Sequence, residues 1–176
     1  MQIAAPLTAQ RITLRNYRKS DLPTLTAMWF DPENGKYLSD PTEEYADETY
    51  RAALDKLETS PDGYYLTAVL NATNEIIGSC FMFPDNPDQQ GTRLELAYCI
   101  HKARWRKGYA AELLSLAVAW AADNGYTEIT AETAKENAAS NALLLKTGFT
   151  LTAESAFKKY NMNVTYSSCI YIKKLT

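Results

Sequence analysis

The sequence predicts a mixed α/β protein whose strongly twisted sheet carries helices on both faces. Two helical segments come early in the chain, and three strand-like segments joined by short loops follow them. The rest of the chain runs helix, strand, helix, strand and strand. Because helix crossovers join parallel strands and short turns join antiparallel ones, this order predicts a sheet of mixed direction that is covered on two sides.

Apolar periodicity and turn residues predict the individual elements. Ser20 is expected to cap the first helix, since its hydroxyl can accept an N–H of the first turn. Asn124 with Gly125, and also Gly148, are expected to end two later helices in left-handed conformations. In chain order the predicted elements are a strand at 11–16, helices at 20–29 and 43–59, a hairpin of strands at 64–70 and 76–84, a strand at 94–100, a helix at 109–124, a strand at 128–133, a helix at 138–146, and strands at 149–157 and 165–173.

The composition predicts one globular domain that spans residues 1–176. A net charge of −3 argues against a nucleic-acid partner, and no apolar run is long enough for a membrane span. The first residues lack the pattern of a signal peptide, so a cytoplasmic location is expected. Three cysteines without paired spacing and a single histidine predict neither a disulfide framework nor a metal site.

A basic loop at residues 104–112 joins a predicted strand to a predicted helix. The first N–H groups of a helix have no partner within it, and the helix dipole adds positive charge there, so such a loop favours phosphate. Gly108 lets an anion approach the backbone. Arg104, Arg106 and Lys107 add cationic donors. Neither the Walker pattern nor the three spaced glycines of a dinucleotide site is present.

Four segments carry a family resemblance: LELAY at 94–98, WRKGYA at 105–110, NAASN at 137–141 and KTGF at 146–149. In order and spacing they resemble the GNAT superfamily of acetyl-coenzyme A dependent N-acetyltransferases. The loop is most similar to the branch that includes the ribosomal-protein N-terminal acetyltransferases. The resemblance covers about residue 10 to the C-terminus. It implies a GNAT-like fold, with a mostly antiparallel sheet that splays between the strand at 95–100 and the strand around Ile129 and leaves a wedge for coenzyme A.

The resemblance also implies the co-substrate and its contacts. Acetyl-coenzyme A is expected, with no metal, and peptide groups along the strand edge at 98–100 would bind its pantetheine amides. Asn137 lies where the family has a cofactor-contacting asparagine, although asparagine is also a good helix cap. The predicted cofactor-binding residues are Tyr98, Cys99, Ile100, Arg104, Trp105, Arg106, Lys107, Gly108, Tyr109, Ala110, Ala111, Asn137 and Ser140.

Acetyl transfer to an amine needs one group that accepts the ammonium proton and another that protonates the departing thiolate. Glu95 is the predicted base because it falls where many relatives have a functional glutamate, but it equally fits the solvent-facing half of a strand. Many relatives use a helix tyrosine as the acid, and residues 143–145 are leucines here. Ser140 is the predicted acid, with water, Tyr98 and Tyr160 as alternatives. The structural interpretation of Ser140 is a helix serine whose hydroxyl bonds the backbone of its own helix.

Two residues at the end of the same strand have competing interpretations. Cys99 could carry an acyl group as a nucleophile, but a buried cysteine without an activating neighbour is favoured. His101 could contact phosphate or move a proton, but an exposed strand-end histidine is favoured. A backbone N–H near Cys99 or Ile100 is expected to stabilise the tetrahedral oxyanion.

The sequence therefore predicts direct acetyl transfer to a primary amine, either a protein N-terminal α-amine or a small-molecule amine. Acceptor loops are expected at 31–42 and 84–93, where Asp40, Asp85 and Asp88 would suit a cationic acceptor. Two alternatives stay open, a coenzyme A sensor or partner-binding module without catalysis and a nucleotide-binding regulator. Homodimers are common among such folds, and the C-terminal strand could pair with a second copy.

Overall fold

The computed structural model describes residues 1–85 and 93–175. Asp88 and most of the expected acceptor loop at 84–93 lie outside the described residues. The strands are β1 (Leu7–Thr8), β2 (Ile12–Asn16), β3 (Tyr64–Leu70), β4 (Ile76–Pro84), β5 (Arg93–Ile100), β6 (Glu128–Ala134), β7 (Thr150–Lys158) and β8 (Thr165–Lys174).

The described helices flank this sheet, and none of them is both long and apolar enough to cross a membrane. The α-helices are α1 (Leu22–Trp29), α2 (Glu48–Leu54), α3 (Tyr109–Asp123) and α4 (Ala138–Lys146). Short 3₁₀ segments lie at Lys19–Asp21, Glu43–Tyr45, Leu57–Thr59 and Lys102–Arg104.

The strands form one eight-stranded sheet in the order β1-β2-β3-β4-β5-β6-β8-β7. Within the described residues, β5 and β6 pair in parallel and every other neighbouring pair is antiparallel. The parallel pairing runs only from Arg93 opposite Glu128 to Glu95 opposite Thr130. Beyond Glu95, β5 continues beside β4 while β6 continues beside β8. The sheet therefore splays at the predicted place.

Hydrophobic packing covers both faces of the sheet, as predicted. On one face, Leu113 of α3 joins Leu94 of β5 and Ile129 of β6 in a continuous core. On the other face, Leu25 of α1 and Leu54 of α2 belong to a second cluster. Burial of each such leucine contributes roughly 1.5–3 kcal/mol, so these clusters hold the divergent strands in place.

The first helix does not begin at Ser20 as predicted. Lys19–Asp21 form a 3₁₀ turn and α1 starts at Leu22. The Asp21 carboxylate accepts the Arg18 N–H at 3.0 Å, which tightens this turn, and it also binds the Arg15 guanidinium. Asp21, and not Ser20, is therefore the residue that immediately precedes the helix.

The predicted continuous helix at 43–59 is also wrong, because the segment breaks into two 3₁₀ turns around α2. Ala46 has a non-helical backbone, with ψ 89°, and Asp47 is extended. The Asp47 carboxylate accepts the Tyr50 N–H at 2.9 Å and so caps a new helix. The sequence missed β1, which has only two residues.

The predicted glycine helix ends are confirmed. Gly125 after α3 has φ +84° and Gly148 after α4 has φ +87°. A left-handed residue lets the last helical carbonyls be satisfied, and glycine adopts it without a Cβ penalty.

Candidate active site

A cleft of about 740 Å³ opens where β5 and β6 diverge. Its sides are the end of β5, the loop before α3, the start of α4, and residues 31–40 after α1, which we call the wall segment. Twelve of the thirteen predicted cofactor-binding residues line it. Lys107 does not, because its Nζ turns back to donate to the Ala103 carbonyl at 3.3 Å.

The loop before α3 directs backbone N–H groups into this cleft. Arg106 and Gly108 both have positive φ, +60° and +82°. Such a turn in front of a helix aims successive N–H groups at one point and forms an anion-binding concavity. In residues 1–85 and 93–175, the N–H groups of 106–110 have no acceptor. The first α3 bonds come from Ala111 and Glu112, whose N–H groups donate to the Gly108 carbonyl at 3.1 and 3.2 Å.

Arg11, which the sequence analysis did not identify, holds this loop from the side. Its Nη1 donates to the Lys107 carbonyl at 2.8 Å, and its guanidinium pairs with Glu112. The same guanidinium lies 4.7 Å from the centre of the Tyr109 ring. A Cβ added at Gly108 would lie 3.0 Å from the Arg11 Nη2, a close contact with the end of a flexible side chain, so the positive φ is the main reason for glycine at this position.

The described lining of the cleft is cationic. Its one acidic residue, Glu33, accepts a bond of 3.0 Å from the Lys102 ammonium. Arg104 is partly engaged, because its guanidinium pairs with Glu75. The four cations of the lining are Lys36, Arg104, Arg106 and Lys146.

The register of β5 decides which of its peptide groups face the cleft. The His101 N–H donates to the Ile77 carbonyl at 2.8 Å, so that pair is hydrogen-bonded to β4. In an antiparallel ladder bonded pairs alternate with unbonded ones, so Cys99 also bonds β4 while Tyr98 and Ile100 turn their peptide groups towards the splay. The Ile100 carbonyl accepts the Trp105 indole N–H at 2.7 Å. Of the two predicted oxyanion donors, Ile100 has the required direction.

Tyr98 and Ser140 meet across the cleft. The Tyr98 hydroxyl lies 2.8 Å from the Ser140 Oγ. Burial raises the pKa of Tyr98, and the bond to Ser140 offsets this only in part. The Asn137 Oδ1 accepts the Ser140 N–H at 3.2 Å and caps α4. Asn137 therefore caps a helix and lines the cleft at once.

Glu95 does not line the cleft. It is exposed and lies in a separate depression of about 360 Å³, with Phe83 and Ile170 among the apolar residues there. Side chains along a strand alternate between faces, so Glu95 and Tyr98 point to opposite sides of the sheet. Asp85 and Glu132 share the depression with Glu95. Asp85 is the described part of the predicted acidic acceptor loop.

Cys99 is buried, as the structural interpretation expects, whereas His101 at the strand end is half-buried and not exposed. Burial raises the pKa of the Cys99 thiol to about 12, so no thiolate is available at neutral pH. Its Sγ accepts a hydrogen bond of 3.1 Å from Asn34 Nδ2. The His101 Nδ1 accepts the Ala103 N–H at 3.1 Å, which caps the 3₁₀ turn that leads to the loop.

The sequence analysis missed the contribution of the wall segment and of the far end of α4. Lys36, Tyr37 and Leu38 line the cleft although they precede β5 by more than fifty residues. Lys146 lines it from the last turn of α4. No local motif marks these positions, because the turn chemistry at Asp31 predicts a loop without saying where that loop packs.

Comparison with known proteins gives the family. Residues 11–150 match the acetyltransferase (GNAT) domain family. The chain is 29% identical over 150 residues to an uncharacterized N-acetyltransferase, p20, of Bacillus licheniformis, and the alignment covers 81% of each chain.

Two solved structures share the fold. An acetyltransferase of Salmonella typhimurium that modifies the N-terminal serine of the 50S ribosomal subunit protein L7/L12 has a TM-score of 0.78 at 16% identity, over 98% of this chain and 100% of that chain. Spermidine N-acetyltransferase of Vibrio cholerae, in complex with CoA and spermine, has a TM-score of 0.76 at 16% identity, over 93% and 95%. The family match over most of the chain leads to the conclusion that this protein belongs to the GNAT acetyltransferase domain family and is an acyltransferase.

Proposed function

We propose that this protein transfers the acetyl group of acetyl-coenzyme A directly to a primary amine. The observation that carries the proposal is the meeting, in one cleft, of an anion-binding loop, an unpaired strand edge and a hydroxyl pair. Each part answers one need of the reaction, namely to hold the co-substrate, to stabilise the oxyanion and to protonate the thiolate.

The residues of the cleft fit coenzyme A. The N–H groups of 106–110 would hold its pyrophosphate, with Arg106 and Arg104 as cationic neighbours. The pantetheine amides would bond the edge of β5 at Tyr98 and Ile100, and the amide of Asn137 would add a polar contact from α4. This arrangement directs the thioester towards the point where β5 and β6 separate.

Glu95 is the proposed proton acceptor, acting from the opposite side of β5. A primary amine is protonated at neutral pH and attacks only after it loses a proton. The depression around Glu95 also contains Asp85 and Glu132, and this charge attracts an ammonium group. The amine would thus approach from the acidic side while the thioester lies on the cationic side.

The Tyr98 and Ser140 pair is the proposed proton source for the departing thiolate. Because burial raises the pKa of Tyr98, its hydroxyl keeps its proton throughout the neutral range. Ser140 lies within hydrogen-bond distance of that hydroxyl, so its hydroxyl would donate to the tyrosinate that remains after proton transfer to the thiolate, and solvent water would then return the proton to Tyr98. Many relatives have a helix tyrosine where this chain has leucines at 143–145, and here Tyr98 on β5 would take its role.

For the acceptor we propose a protein N-terminal α-amine first and a polyamine second. The loop at 105–110 is most similar to the ribosomal-protein branch, and the Salmonella protein of like fold modifies an N-terminal serine. The Vibrio protein of like fold is a spermidine acetyltransferase, and an acidic depression would also suit a polyamine. A single domain over residues 1–176 and a cytoplasmic location remain predictions from the sequence.

Release of free thiol from acetyl-coenzyme A tests the proposal. The acceptors are peptides with free N-termini, the same peptides with acetylated N-termini, polyamines and aminoglycosides. Release that requires one free amine, with the acetylated amine found by mass spectrometry, is the expected result. Tight binding of coenzyme A with no release for any amine would favour the sensor. Easy displacement of coenzyme A by ADP would favour the nucleotide-binding regulator.

A further inference from the structure

The wall segment has little regular structure of its own, yet it forms one side of the cleft. Asn34 holds it at one end, bonding Cys99 and accepting the Lys102 N–H. The Lys102 ammonium also binds the Asp31 carboxylate, at 2.9 and 3.0 Å. These contacts fix the first half of the segment to the end of β5, but they do not reach its second half.

Lys159, just after β7, holds that second half. Its Nζ donates to the Gly35 carbonyl at 2.9 Å and to the Leu38 carbonyl at 2.7 Å. The neighbouring Tyr160 N–H donates to the Ser39 carbonyl at 2.8 Å. The lysine therefore reaches over one turn of the wall segment and bonds its backbone on both sides of Lys36 and Tyr37.

Burial of the Lys159 ammonium group has a cost in free energy. The residue is only 5% exposed, and an ammonium group loses hydration on burial. Burial lowers the pKa of Lys159, and the Asp40 carboxylate opposes this shift. Burial likewise raises the pKa of Asp40, whose carboxylate accepts the Tyr50 hydroxyl. A methionine of similar length would avoid the hydration cost but could not bond the two carbonyls, so stability alone does not account for a lysine here.

We propose that Lys159 is a positioning residue that fixes the wall segment and thereby sets the affinity of the cleft for coenzyme A. The inference rests on the proposed function. Lys159 itself contacts neither cleft nor depression among the described residues and acts through the backbone of 35–38. That backbone carries Lys36, Tyr37 and Leu38, which line the cleft assigned to coenzyme A, whereas the loop before α3 is anchored separately by Arg11.

The test compares Lys159→Met with Lys158→Met. Lys158 is the preceding residue, exposed and without an ion pair among the described residues, so the control removes the same charge one position away. Lys159→Gln, which keeps one donor group, serves if the methionine variant does not fold. Each variant is compared with the wild-type protein by circular dichroism before use.

Trypsin supplies a readout that does not depend on the reaction, because the exposed Lys36 lies inside the wall segment. Loss of the two bonds should speed cleavage after Lys36 about tenfold in Lys159→Met and less in Lys159→Gln, since native proteolysis follows local opening. Lys158→Met should be cleaved at the wild-type rate. Unchanged cleavage in folded Lys159→Met would overturn the anchoring role.

Calorimetric titration with coenzyme A tests the consequence for the cleft. In Lys159→Met the dissociation constant of coenzyme A should rise about tenfold, and in Lys158→Met it should stay within about twofold of the wild-type value. Faster cleavage with unchanged coenzyme A affinity would overturn the link to the cleft. Thiol release by the wild type tests the proposed function separately, because neither cleavage nor titration requires turnover.

Discussion

The cleft and the depression share strand β5, but they carry opposite charge. Among the described residues, four cations and one already paired acid line the cleft. The described lining of the depression has Asp85, Glu95 and Glu132 against one arginine, Arg93, which pairs with Glu128 at 3.0 Å. Successive side chains of a strand point to opposite faces, so one strand serves both sites. Under the proposed function, the cationic cleft attracts the phosphate-bearing co-substrate. The acidic depression on the other side of β5 attracts the ammonium group of the acceptor.

The largest effect should follow a change that destroys the anion site of the cleft. Gly108→Glu adds negative charge and a side chain where the backbone must meet phosphate, and its Cβ would lie 3.0 Å from Arg11. We expect loss of coenzyme A affinity of at least about a hundredfold, since a charge-assisted hydrogen-bond set and the local field are both lost. Calorimetric titration with coenzyme A measures it.

Gly125→Glu is the matched control at the other end of α3. Gly125 has nearly the same backbone conformation, φ +84°, and a Cβ there meets nothing within 4 Å. Both variants therefore suffer the same left-handed strain of about 1 kcal/mol. Equal loss of coenzyme A binding in the two would mean that strain in α3, and not the cleft, explains the result.

A somewhat smaller effect should follow a change on the acidic side. Glu95→Gln keeps the shape of the side chain but cannot accept a proton, and we expect kcat to fall about a hundredfold at neutral pH. The defect should shrink as pH rises through the pKa of the acceptor amine, about 8 for an α-amine, because the amine then arrives deprotonated. Rates of thiol release measured across this pH range check both points.

Glu132→Gln separates proton transfer from attraction of the acceptor. Glu132 lies in the same depression, and its carboxylate accepts the Ser168 hydroxyl. Loss of this charge should raise the acceptor KM a few-fold, roughly, with kcat unchanged. If both glutamine variants lowered kcat alike, the depression would act only through its total charge and Glu95 would not be the base.

The two sites also differ in how far the sequence could predict them. The loop at 104–111, the strand before it and the cap at Asn137 are neighbours along the chain, so periodicity, glycine and the family resemblance found them together. The splay was predicted because it belongs to that resemblance. The orientation of Glu95 depended on the register of β5 against β4, which the sequence alone left open.

The parts that could not be predicted depend on long-range packing. Arg11 reaches Lys107, and Lys159 reaches Gly35, across about a hundred residues, with no pattern to link them. The break in the helix predicted at 43–59 has a local cause, the cap at Asp47, but a polar helix with one apolar stripe fits the same residues. The Asp47 carboxylate also accepts the Tyr160 hydroxyl at 3.1 Å, so a tertiary contact supports the local cap against the continuous helix.

A moderate effect should follow loss of the hydroxyl pair. Ser140→Ala and Tyr98→Phe each remove the 2.8 Å contact, and we expect kcat to fall about tenfold in either variant. Coenzyme A affinity should change little, and the double variant should lose no more than the worse single variant, because the two hydroxyls act as a unit.

Ser115→Ala is the control for the structural interpretation of a helix serine. The Ser115 hydroxyl bonds the Ala111 carbonyl at 2.9 Å in its own helix and faces away from the cleft lining. Its removal should leave kcat within about twofold of the wild type. Additive losses in the double variant would mean that Tyr98 and Ser140 serve separate roles.

The smallest effect distinguishes two arginines of the cleft that the sequence treats alike. The Arg104 guanidinium pairs with Glu75, whereas Arg106 has no acidic partner among the described residues. Arg106 also has φ +60°, so asparagine, which tolerates left-handed backbone, is the appropriate replacement. Arg106→Asn should weaken coenzyme A binding about fivefold. Arg104→Asn should weaken it less, because the carboxylate of Glu75 already neutralises part of the Arg104 charge.

Titrations at about 50 and about 300 mM salt should show the difference between the two variants shrinking as salt screens the exposed charge. A larger loss in Arg104→Asn would instead mean that the ion pair with Glu75 shapes the loop, and that the cationic character of the cleft matters less than its backbone.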